Sequence, residues 1–151
     1  MPFDGTELPT PMIPNNRLFS PLSKHYWRLW YESPAYAPLG PDRDAAVVRL
    51  LQDARRLIED PRNWTSGRYR SLSGRHCAVG ALRAAARRLD DPRIALSAHA
   101  LLIKVAGSRG FTDVEKMNDR SCHAAVLGAF DEAIAAALIA VAFTQAPVAV
   151  G

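Results

Sequence analysis

The spacing of apolar side chains changes at Pro41. Beyond it Val47, Leu50, Leu51, Ala54, Leu57 and Ile58 recur at i, i+3, i+4, i+7, which lays one apolar stripe along an α-helix. A first helix is therefore predicted over 42–59, closed by Pro61. A second is predicted over 76–90, with Ala78, Ala81, Leu82, Ala85 and Leu89 on one face and Arg83, Arg87 and Arg88 on the other. The third has the clearest punctuation: Asp91 as N-cap, Pro92 at the first helical position, Ile94, Ala95, Ala98, Leu101, Leu102 and Val105 inside, and Gly107 at the stop. One short helical turn is expected at 112–117. The last helix, 121–144, is apolar nearly all round, from Val126 and Leu127 to Val141 and Phe143, as expected of a central buried helix.

Between the first two helices, DPRNWTSGRYRSLSGRH is rich in Gly, Ser and Arg and reads as a loop turning at Gly67 and Gly74, with room for a short hairpin. Before Pro41 lie seven more of the eleven prolines, so residues 1–41 form no long helix. Yet that arm holds Tyr26, Trp27, Trp30, Tyr31 and Tyr36, too aromatic for a solvated linker. The fold class expected is all-α: four main helices in a compact bundle over 42–144, an irregular N-terminal arm over 1–41 and a tail over 145–151. The uninterrupted apolar stretch 133–143 follows Asp131 and Glu132 and precedes Pro147. It falls short of the ~18–20 residues that span a bilayer, so no membrane is expected.

Composition narrows the function classes. The chain has 151 residues, 48% of them hydrophobic and 23% charged, which suits one folded domain. Two cysteines cannot build a disulfide framework. The acidic N-terminus lacks the basic and apolar regions of an export signal, so a cytoplasmic location is expected. The net charge of +4 is uneven: residues 44–93 carry eleven Arg and six acids. Those charges are interleaved and carry no recognised nucleic-acid-reading motif, which argues against a nucleic-acid partner.

If the helices pack up-down-up-down, the second and last begin at the same end of the bundle. Trp64, Gly67, His76, Cys77, Asn118, Asp119, Cys122 and His123 would then converge. Read together, W-x-x-G at Trp64 to Gly67, H-C-A-V-G-A-L at His76 to Leu82, the Asn118-Asp119 dipeptide and H-A-A-V-L-G-A-F-D-E-A-I from His123 to Ile134 resemble a family of small bacterial and phage proteins of unknown function. The resemblance spans roughly residues 45–140. It departs at Ala125, where that family often carries an acidic residue, and it implies domain limits and a site without supplying an activity.

Three chemistries compete at that end. A thiol in the first turn of a helix is stabilised as thiolate by the helix dipole, so Cys77 as nucleophile, His123 as base and Asn118 or Asp119 as orienting group would make a thiol-dependent hydrolase or transferase. The bland alternative is a packed core thiol beside an Asn-Asp helix cap and turn. Zinc held by His76-Cys77 and Cys122-His123 is disfavoured because adjacent helical residues point ~100° apart; no metal and no cofactor are expected. Trp64 with Arg68, Arg70 and Arg75 could hold an anion or phosphate at the paired helix N-termini, without any nucleotide-cradle motif. The balance falls against an enzyme. It favours a non-catalytic interaction or accessory module, with Tyr26, Trp27, Trp30 and Tyr31 engaging the protein's own helices, a second copy or a protein partner.

Overall fold

The computed structural model describes residues 36–145. Their elements are α1 (Pro41–Leu57), a 3-10 turn (Pro61–Asn63), α2 (Ala78–Ala86), α3 (Pro92–Ser108), α4 (Val114–Arg120) and α5 (His123–Gln145). The all-α class stands, with five helices rather than four among the described residues. The extra one, α4, is built where a single turn was expected: the Asp113 carboxylate caps it by accepting the Lys116 N–H at 2.7 Å, and Val114 and Met117 are fully buried. The tail and Tyr26, Trp27, Trp30 and Tyr31 lie outside the described residues.

α1 organises the bundle, packing on α5, α2 and α3. Its N-cap is Gly40, which has no side chain to satisfy the first amides. The buried Asp44 carboxylate instead reaches back from the first turn and fixes the chain before it, accepting the Leu39 and Gly40 N–H groups at 2.9 and 3.1 Å. α2 is shorter than expected because Cys77 is extended and serves as its N-cap, and the helix closes at Ala86. α3 begins as expected, with Asp91 accepting the Arg93 N–H at 3.0 Å. The 60–76 segment holds two isolated bridges and no strand, Trp64 pairing with His76 and Arg70 with His76.

α5 departs furthest from expectation. It is buried along one stripe, Val126, Ala129, Phe130, Ala133, Ala137 and Ala140, and its exposed side chains include Leu138, Ile139 and Phe143. The uniform apolar sequence gave no sign of which face would be covered; the small Ala side chains take the contact with α1 and α3. By length and composition α5 is long and apolar enough to cross a membrane, with a mean hydropathy of 2.0 over its best window and one third of that window buried. The helix is longer than the apolar stretch 133–143 because Asp131 and Glu132 interrupt the apolar run without ending the helix.

Candidate functional site

The loop, α2, α4 and the start of α5 meet at one end of the bundle, where packing of helices joined by short connections is expected to bring Trp64, Gly67, Asn118, Asp119 and His123 together, and Asn118 sits at their centre. Its side chain is fully buried, on the short helix α4. Oδ1 accepts the Trp64 indole N–H at 2.8 Å and the Ala78 backbone N–H at 3.0 Å. Both partners are obligate donors, so this atom must be the amide oxygen. Nδ2 then donates to the Thr65 carbonyl at 3.1 Å and to the Asp119 carboxylate at 3.4 Å. Asp119 in turn accepts the Gly67 N–H at 2.7 Å, holding a glycine whose φ of 74° lies in the left-handed region. The Asn-Asp pair thus clamps the Trp64–Gly67 turn to the N-terminus of α2.

Cys77 and His123 serve the same clamp. The thiol accepts the Gly80 N–H at 3.3 Å as the cap of α2, and it is fully buried. Burial pushes its pKa up to about 12; the helix N-terminus, which favours thiolate, is outweighed by desolvation. His123 donates from Nε2 to the Ile58 carbonyl at 2.6 Å, and its ring lies 5.6 Å from that of Trp64 at 52°. A carbonyl only accepts, so Nε2 carries the proton. Its partner in this cluster is thus the end of α1, while the thiol's is its own helix.

Around this clamp lies a layer the sequence did not announce. The Tyr69 carbonyl accepts the Cys77 N–H at 3.2 Å and comes so close to α2 that a Cβ on Gly80 would stand 1.8 Å from it. Gly80 in an apolar helical run was the visible signal. Arg83, read from its spacing as an outward residue, is buried with its guanidinium 4.1 Å over the Tyr69 ring. The Tyr69 hydroxyl donates to Glu115 at 3.4 Å, and burial raises the Glu115 pKa. His99, on α3, is also buried.

The remaining sequence candidates face outward. Arg68, Arg70 and Arg75 are exposed, Trp64 is half-buried, and Leu72 at the loop tip is 104% exposed. The tip is a closed turn: Ser71 N–H to Arg75 O at 2.8 Å, Gly74 N–H to Ser71 O at 3.0 Å, and Arg75 N–H to Ser71 Oγ at 3.0 Å. Among the described residues no three His, Cys, Asp or Glu side chains group to hold a metal ion, and Cys122 is exposed apart from Cys77.

Comparison with protein families matches residues 42–136 to a family of unknown function, DUF6197. The chain belongs to that family. The DUF6197 match takes in every residue of the clamp and stops within α5, before Leu138, Ile139 and Phe143. No curated protein and no solved structure matches the chain.

Proposed function

We propose that the protein is a non-catalytic binding module whose clamp holds the 60–76 loop in shape for an anionic protein partner. One observation carries the reading. Arg68, Arg70 and Arg75 are three exposed guanidinium groups within eight residues of one loop whose stretch 64–76 holds no carboxylate. Like Arg49, Arg87, Arg88, Lys104 and Arg120 elsewhere, they have no ion pair with another described residue, whereas Arg43, Arg55, Arg56, Arg62, Arg93, Arg109 and Lys116 each pair with a carboxylate. The His76 pKa is lowered first by burial and then by the charges of Arg70 and Arg87, as a locally positive surface requires. Guanidinium groups favour bidentate contact with carboxylates, and Leu72 adds an apolar tip between Arg70 and Arg75 that a bare phosphate would leave uncovered. An acidic protein segment with apolar side chains fits both. Against thiol catalysis stands the burial of Cys77 with its proton held, since the thiolate is the nucleophile.

The test is fluorescence anisotropy with a labelled peptide alternating Glu and Leu, beside a single-stranded oligonucleotide and inorganic phosphate as competitor. Salt-sensitive peptide binding that falls about ten-fold or more in R68E/R70E/R75E is expected. No binding, equal binding by the variant, or stronger binding of the oligonucleotide overturns the reading. Iodoacetamide labelling is the second arm: Cys122 reacts in the native protein and Cys77 only after unfolding. Rapid native labelling of Cys77 would overturn the non-catalytic assignment.

A further inference from the structure

α5 carries an apolar face with no described neighbour over it. Ile139 is 66% exposed and Phe143 82%, with Leu138 beside them. Three observations bear on what covers this face.

The first is position. α1 and α5 are antiparallel: His123 meets the Ile58 carbonyl beyond the C-terminal end of α1, and Arg55 pairs with Asp131 at 2.8 Å. The rise that runs from Arg55 back to Pro41 equals that from Asp131 forward to Gln145. The start of α1 and the last turns of α5 are therefore at one end of the bundle. The second is anchoring. Tyr36 packs on the core, and Asp44 fixes the Leu39 and Gly40 amides, so residue 36 is held at that end. Tyr31, Trp30, Trp27 and Tyr26 stand five to ten residues before Tyr36, within a reach of at most ~16–36 Å along the chain. The third is coincidence of limits. The family match runs from 42 to 136, so the aromatic segment and the exposed face both lie outside it, one before and one after.

We infer that residues 26–31 of this same chain dock on the Leu138–Phe143 face of α5. The indole rings of Trp27 and Trp30 would take Ile139 and Phe143 out of water, each aromatic side chain burying ~150–250 Å². A one-residue change in register could not leave the face bare, because the aromatic residues occur as two adjacent pairs. The inference is independent of the anion affinity of the loop.

Trypsin cleavage after Lys24 and Arg28 of the full chain, followed by mass spectrometry, tests it. The native chain should be cut at least about ten-fold more slowly at these bonds than a peptide of residues 1–40. I139Q/F143Q, at exposed positions of a helix that keeps its backbone preference, should restore the peptide's rate. W27A/W30A, which alters no described residue, should raise cleavage after Lys24 in the same way. Cleavage of the native chain at the peptide's rate, or protection unmoved by I139Q/F143Q, overturns the inference. So does protection that vanishes on dilution as light scattering shows a dimer dissociating, which would give the face to a second copy. Binding to phosphatidylglycerol vesicles that I139Q/F143Q abolishes while leaving protection intact would give it to a lipid surface, and equally overturns it.

Discussion

Asn118 is the residue on which the clamp depends, because only a carboxamide can accept two bonds from fixed donors at one atom and donate two from the other, and Asn holds it one methylene nearer the backbone than Gln would. Asn118→Ala leaves the Trp64 indole N–H and the Ala78 N–H without their acceptor. Each buried donor so orphaned costs about 1–3 kcal/mol, so urea denaturation should show a loss of at least that size, with the chain still helical. Asn118→Asp keeps both acceptors but turns a carboxylate oxygen toward the Thr65 carbonyl and Asp119. It should be destabilised at neutral pH and partly recover on acidification, as the new carboxyl gains a proton and becomes a donor. Recovery by Asp alone at neutral pH would mean that the two donors, and not the full set of four bonds, fix the turn.

At the scale of elements, Gly80 sets how closely the loop can lie on α2. Gly80→Ala places a methyl group against the Tyr69 backbone carbonyl, which cannot swing aside as a flexible side chain would, so a loss of about 1–3 kcal/mol or more is expected by urea denaturation. A variant as stable as the parent would mean that the loop moves without cost. The helix limits show what periodicity can and cannot give. Asp91-Pro92 marked the start of α3 because cap and first-turn chemistry are local. The convergence of Trp64, Asn118, Asp119 and His123 was legible because short connections force antiparallel packing. The burial of Arg83 was not, since it depends on Tyr69 arriving from the loop, a contact absent from the sequence of its own helix. Nor could the sequence of α5 say which face is covered over 133–143: eleven consecutive apolar residues offer no polar side to point outward, and the buried stripe was decided by where α1 and α3 lie. The role of Cys77 was open between nucleophile and packed thiol, because dipole and burial pull its pKa in opposite directions and only the depth of burial says which wins.

For the molecule as a whole, the same burial fixes the response to alkali. Cys77 titrates near 9.0 when unfolded and near about 12 when folded, so below 9 both states hold the proton and the thiol leaves stability independent of pH. Above 9 the unfolded state releases it while the folded state does not, and stability falls until the folded thiol also ionises near 12. The Tyr36 phenol, raised from 10.0 first by burial and then by the Asp44 charge, acts in the same direction over a window that begins higher. At the acid end the groups oppose one another. Asp91 is lowered: desolvation alone would raise it, but the bonds to Arg93 and the charges of Arg93 and Arg43 together outweigh that, so its contribution is lost as pH falls. Glu115 is raised by burial, so its contribution is lost as pH rises past 4.5. The alkaline limb is therefore the cleaner test. Urea midpoints should decline from pH 9 upward, and Cys77→Ser, which keeps an oxygen cap for the Gly80 N–H without a group that titrates in this range, should flatten the first part of that decline. A Cys77→Ser chain with the same slope between pH 9 and 10 as the parent would show that the thiol reaches water in the folded protein, and would reopen the question of its reactivity.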